Sequence, residues 1–367
     1  MKLNRQQFAA CCFLALLSPM IRILPGAAAR MGGGVCWLSA VPACGALLLF
    51  LWWMLRFLQK EPQGMAVMLR RCLGRGLGRL MLGLYGLAFL FYIGFILRVG
   101  ADRLIATVYP KSGPTVFVLV MLLACLTAAM GRMTALGRTA VIFRTMMLAV
   151  LLLMLGISFK DIDPVLLAMP RLDGLPALAM GALPMVNVGG FALCFSFLGG
   201  YVDKKGPAGR VYLPWLGVLC GLMLLLCVTV TGRFGAYLTG QLHHPFFTMV
   251  RDLSLLHLAD RVEALIVGMW VFSDFVLCTM LLRCSYEAWR ECFALPELEA
   301  LPYFSLKGGR WLLLAETALA GVFAALIARS SAELLPWSKA IVPLMFAALV
   351  FLGFPLVWLV GKLRKKI

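Results

Sequence analysis

Leu16-Leu17-Ser18-Pro19-Met20-Ile21-Arg22-Ile23-Leu24-Pro25 decides how this chain is read. The stretch lies inside the first long apolar segment, where an ordinary membrane helix has no reason to break. Proline lacks a backbone donor and clashes with the preceding turn, so Pro19 is expected to kink or interrupt the helix. Arg22 is expensive at that depth unless it faces protein, water or a counter-ion. Irregular backbone is tolerated inside a membrane only where it is buried in protein or lines a cavity. The stretch therefore reads as half of a ligand site, with Ser18, Pro19, Met20, Ile21 and Arg22 as its residues.

The surrounding chain reads as membrane protein. Of 367 residues, 62% are hydrophobic and 14% charged, and the mean hydropathy is +0.95. A soluble domain of this length has no way to hide so much apolar surface, whereas a polytopic helical membrane protein does. No small-residue cleavage site follows a short apolar core near the start, so the first segment is expected to stay as a membrane helix. With about 20 apolar residues per crossing, ten spans are expected: 8–30, 35–57, 80–100, 115–131, 139–158, 178–202, 211–231, 259–282, 311–329 and 339–361.

The net charge of +18 is scattered over short connections and forms no nucleic-acid patch. Its distribution fits the positive-inside rule with both termini cytoplasmic. The segments placed inside carry Lys60, Arg70, Arg71, Arg75 and Arg79 in one loop and Lys362, Arg364, Lys365 and Lys366 at the end. Within 58–79, Met65–Leu73 suggests a short amphipathic helix. Residues 158–177, with Asp161, Asp163, Pro164, Pro170 and Pro176, read as an external loop. Residues 232–258 read as an external interfacial helix capping the bundle.

A second interruption is expected in the sixth span, where Pro184-Met185-Val186-Asn187-Val188-Gly189-Gly190-Phe191 places a proline, an amide and a Gly-Gly pair inside an apolar run. The first and sixth spans open two five-span halves, 1–158 and 178–361. Matching interruptions in two halves point to a ligand site between inverted repeats. The expected fold is thus all-α and polytopic, a single membrane domain with a five-plus-five, LeuT-like inverted repeat. The expected site adds Tyr92, Asn187, Gly189, Gly190, Phe191 and Ser273 to the first stretch. Arg22 is positioned for a ligand carboxylate. Asp274, deep in the eighth span, calls for a partner. Arg144 and Arg22 are the candidates, and an Arg144–Asp274 pair would stand in for a coupling cation.

Enzyme signatures are missing: there is no HExxH, no Gly-x-Ser-x-Gly and no phosphate-binding GxxxxGK[ST]. The twelve cysteines contain no CxxC and read as small core hydrophobes. No enzyme activity, metal or cofactor is expected.

Several segments resemble one family. They are Arg5-Gln6-Gln7 at the start, a first helix ending in Leu24-Pro25, and the long basic loop before the third span. More specific are His244-Pro245-Phe246-Phe247-Thr248-Met249-Val250-Arg251-Asp252, then Asp260-Arg261-Val262-Glu263-Ala264-Leu265, then Trp270. Together they resemble the endospore germination permeases, the B subunits of nutrient germinant receptors, within the amino acid–polyamine–organocation transporter superfamily. The sequence departs from that pattern at Arg22, in place of a small residue, and at Phe191, in place of an acidic one.

The resemblance implies a nutrient-sensing, transporter-like subunit in the spore inner membrane. It would bind an amino-acid-like ligand and work beside an A-type membrane subunit and a C-type lipoprotein. A proton-coupled amino acid permease, and a structural membrane subunit with a silent site, are the alternative readings.

Overall fold

The computed structural model describes residues 2–60, 63–107, 111, 113–167, 174–203, 208–252, 259–295, 298, 309–328, 331–337 and 341–364. Among them the chain is helical apart from short turns and one isolated bridge between Leu3 and Val202. Among the described residues seven helical stretches are long and apolar enough, by length and composition, to cross a membrane. Large apolar side chains such as Leu49, Leu352 and Leu123 lie exposed on the outside of the bundle, as a lipid-facing belt requires.

The first of these stretches, Arg5–Arg56, is 52 residues long, more than twice the length of about 20 that one crossing needs. It consists of α1 (Arg5–Gly32), a 3-10 segment (Gly33–Ser39) and α2 (Ala40–Lys60). α1 opens with a capping box. Asn4 Oδ1 accepts from the Gln6 N–H at 3.3 Å, and the Asn4 N–H donates to Gln7 Oε1 at 3.0 Å. Its end is set by Gly33, whose φ of 57° favours glycine.

Next come α3 (Met65–Leu73), α4 (Arg75–Thr107), α5 (Pro114–Met130) and α6 (Met133–Ser158). α3 is the amphipathic helix expected in the basic loop, yet its apolar face is covered by protein. Met65, Leu69 and Cys72 are fully buried, and the helix packs on α4 and on the last helix of the chain. α7 (Leu175–Gly190) changes at Phe191 into an 11-residue 3-10 segment, Phe191–Tyr201. Two 3-10 turns, Phe159–Asp161 and Pro164–Leu166, stand in the expected external loop.

α8 (Gly209–Gln241) bends at Gly235, whose φ is 72°, and leads into α9 (Pro245–Asp252). The chain then forms α10 (Ala259–Phe293), α11 (Arg310–Leu326), the short α12 (Ser331–Pro336) and α13 (Val342–Ala347). A widened π segment (Ala348–Gly353) and α14 (Phe354–Leu363) complete it.

α1 is the hub. It is buried along most of its length and packs against α6, α7, α8 and α10. α4 is the second axis, packed on α10 and α11. Its approach to α11 depends on Gly94, where a Cβ would lie 2.7 Å from Phe323 and 2.8 Å from the Ala320 carbonyl. Small residues at such crossings let membrane helices come close enough for dispersion contacts.

Candidate ligand site

The interruption expected at Pro19 takes a different form. α1 runs without a break from Arg5 to Gly32, through Pro19 and Pro25. Ser273 of α10 reaches into its hydrogen-bond ladder: the Ser18 N–H donates to Ser273 Oγ at 2.8 Å, and the Ser273 hydroxyl donates to the Leu14 carbonyl at 2.6 Å. One side chain thus occupies both ends of an i,i+4 rung, next to the proline that lacks its own donor. Ser273 is a structural partner of α1. Met20 and Ile21 are core residues, 0% and 1% exposed.

Arg22 follows one turn later. It is 7% exposed, and its Nε and Nη1 have no hydrogen-bond partner among the described residues. Arg103 of α4, Asp274 of α10 and Tyr92 of α4 are the groups whose charge it feels. Asp274 pairs with Arg103. The Arg103 guanidinium lies 4.9 Å from the ring centroid of Trp270, one turn from Asp274 on α10. Trp270 in turn packs on Phe247 of α9 at 5.2 Å and on His244 at 6.2 Å.

Among the described residues the cluster holds two guanidinium groups against one carboxylate. A buried excess positive charge is costly unless an anion compensates it. His244 adds no charge: burial first, and the cations Arg103 and Arg22 next, push its imidazole down from 6.5 to about 3. Beside the cluster a small hollow of about 20 Å³, room for about one water molecule, lies between α4, α5 and α10, walled in part by Gly100, Arg103, Trp270 and Asp274.

The expected site is only partly assembled here. Arg22, Tyr92, Ser273 and Asp274 converge around α1 and α10. The expected Arg144–Asp274 pair is absent, because Asp274 is taken by Arg103 and Arg144 stacks over Trp215 at 4.0 Å. Asn187 turns away from α1, and its Nδ2 donates to the Pro343 carbonyl of α13 at 3.1 Å. Gly189 and Gly190 serve helix approach: an added Cβ would lie 2.6 Å from Leu47 and 2.8 Å from Phe351 respectively. Both glycines wall a larger apolar hollow of about 180 Å³ between α1, α2, α7 and α8. Phe191 meets Tyr92 (5.1 Å) and Phe346 (4.8 Å) in an aromatic knot that also joins Tyr92 to Phe346 at 4.3 Å.

Arg103 is the site residue that sequence reading missed. The apolar window ends near residue 100, but α4 continues to Thr107. The available signal was the i,i+4 spacing of Arg98 and Asp102, which do pair within that extension. Within the segment expected to cap the bundle stands α9, with Phe246 and Met249 buried at 1% and 0%. Residues 253–258 and the side chains of Asp260–Leu265, which carry the Arg-x-Glu pattern, lie outside the described residues. No group of three His, Cys, Asp or Glu residues suited to a metal ion occurs among the described residues.

No curated protein matches the chain. A family model described as spore germination protein, the spore permease model, matches residues 2–306, a span that holds every element of the arginine cluster. The chain belongs to the spore germination permease family.

Proposed function

We propose that this germination permease is a nutrient-sensing, transporter-like receptor subunit that binds an amino-acid-like ligand through its carboxylate at Arg22. The observation that carries this is the buried Arg22 guanidinium, with Nε and Nη1 partnerless in a cluster of net positive charge. A carboxylate placed there removes both penalties at once. Tyr92 and Trp270, buried in the same region, supply apolar walls that would sort side chains by size.

The larger frame is ten crossings in two inverted halves, with α1, α2, α4, α5 and α6 answering to α7, α8, α10, α11 and α13–α14. The packing supports this correspondence. α1 against α8 is matched by α7 against α2, and α4 against α11 by α10 against α5. The pairs α4–α10 and α5–α11 are their own counterparts. In this reading both termini are cytoplasmic, the membrane is that of the spore, and an A-type membrane subunit and a C-type lipoprotein read out the change. Ligand binding can shift the bundle only by its differential affinity for two states.

The test is thermal unfolding of the purified protein across a panel of amino acids, nucleosides and sugars, with Arg22→Ala alongside. A ligand of the native state raises apparent stability with its occupancy. The expected result is one amino acid that stabilises the wild type and leaves Arg22→Ala unchanged. A panel without any stabilising compound, or one that stabilises both proteins equally, removes the Arg22 site. Flux of that ligand into liposomes separates a sensor from a proton-coupled permease.

A further inference from the structure

Two carboxyl groups stand near one another on the far side of α10 from Arg22, and they are served very differently. Glu287 of α10 is fully provided for: the Tyr201 hydroxyl donates to its Oε1 at 2.6 Å and Arg290 Nε donates to its Oε2 at 2.8 Å. Glu316 of α11 is 3% exposed and has no cationic partner among the described residues. Its Oε2 has no hydrogen-bond partner among the described residues. Its Oε1 lies 3.2 Å from Ser285 Oγ, which itself lies 3.3 Å from the Gly86 carbonyl of α4.

These distances bear on where the protons are. A hydroxyl donating to an ionised carboxylate closes to about 2.5–2.7 Å, as Tyr201 does with Glu287 at 2.6 Å. The Ser285–Glu316 contact is far longer. A lone buried carboxylate is also so costly that such groups neutralise instead. One arrangement gives every proton an acceptor: Glu316 Oε1–H donates to Ser285 Oγ, and the Ser285 hydroxyl donates to the Gly86 carbonyl. A serine has one proton, so it serves both contacts only if the other comes from Glu316.

We propose that Glu316 is a proton-binding site, held as the neutral acid at the junction of α4, α10 and α11. Binding forms the Glu316 O–H bond with a proton from water and brings the side chain from −1 to 0. Release returns the proton to water and leaves a bare carboxylate between three packed helices. Proton occupancy and the seating of α11 are therefore linked. The titratable groups facing it are Tyr286 and Glu287 on α10. Arg310 begins its own helix, the nearest charge in sequence on α4 is Arg79, and α5 carries no charged residue. This inference stands independently of the ligand reading, since α10 separates Ser285 from Ser273 by twelve residues, about 18 Å of helix.

The test is infrared spectroscopy of the purified protein in lipid nanodiscs, in water and in heavy water, with Glu316→Gln and Ser285→Ala. The wild type is expected to show the carbonyl band of a protonated, buried carboxylic acid, shifted by deuteration. Glu316→Gln should abolish that band while keeping the wild-type melting temperature within a few degrees, because an amide also donates to Ser285. Ser285→Ala should keep the band and move its frequency. The Ser285 variant decides the question if the Glu316 variant does not fold. A wild type without the band, or a band unchanged in the variants that fold, overturns the proposal.

Discussion

The first and seventh helices carry the same sequence signal, proline with small or polar neighbours inside an apolar run, and they resolve it in opposite ways. In α1 the rung before Pro19 is met from outside, by the Ser273 hydroxyl bridging Leu14 and Ser18, and the helix runs on without a break. In α7 the chain changes pitch at the Gly190–Phe191 junction and continues as a 3-10 segment, with neighbouring side chains pressed onto the glycines. One interruption is filled by a polar plug and the other by apolar contact. A break in a membrane helix is thus a demand for a partner, and the partner's chemistry decides whether a site or a packing junction forms.

The largest expected effect falls on the α7 side. Gly190→Leu places a branched side chain where even a Cβ would meet Phe351 at 2.8 Å. Overpacking of that kind costs about 1–3 kcal/mol or more, and thermal unfolding in detergent should show a fall of several degrees or no folded protein. An unchanged melting temperature would mean that the junction is loose and that the comparison with α1 fails. On the α1 side, Ser273→Ala strips a buried N–H and a buried carbonyl of their shared partner, at about 1–3 kcal/mol. The variant's cost should shrink in a Pro19→Ala background, where a helix without the proline ring can close the Leu14–Ser18 rung directly. The two changes form a double-mutant cycle, and additivity would show that the hydroxyl does not answer the proline.

The all-helical, apolar character of the chain and the change of pitch in α7 were legible because they depend on local chemistry: apolar length, proline and glycine. Partner choice was not. Arg144 and Arg22 were the candidates for Asp274, and nothing local points instead to Arg103, which lies past the end of the apolar window. The choice is made by the extension of α4 to Thr107, which brings Arg103 over Trp270. Asn187 shows the same limit. It was read as a ligand group because it lies in the interruption of the sixth span, but its amide is taken by a carbonyl 156 residues away in α13. Ser273 was read as lining the site, and it stands there as the plug of α1.

The pH dependence sharpens the α1 side of the comparison. His244 binds its proton near 6.5 in the unfolded chain and near 3 in the fold. The stability gained by keeping it neutral is complete above pH 6.5 and is lost as pH falls through that window, by at most about 1.4 kcal/mol per pH unit. Melting temperatures measured between pH 7 and 4 should fall more steeply for the wild type than for His244→Gln. Parallel curves would show that the imidazole is open to water and that the arginine cluster is not sealed by α9.

The smallest expected effect tests the α7 side by its one polar contact. Asn187→Ala removes a single hydrogen bond to the Pro343 carbonyl, worth about 0.5–1.5 kcal/mol. If α7 is held by apolar contact, as its glycines against Leu47 and Phe351 imply, this loss should be no larger than that of any one buried hydrogen bond. It should also add to that of Ser273→Ala without coupling, since no hydrogen bond joins the two residues. Ligand-induced stabilisation should survive in Asn187→Ala and vanish in Arg22→Ala. A variant that keeps its melting temperature but loses that stabilisation would return Asn187 to the ligand site. The two helices would then share the ligand instead of dividing the work of binding and packing.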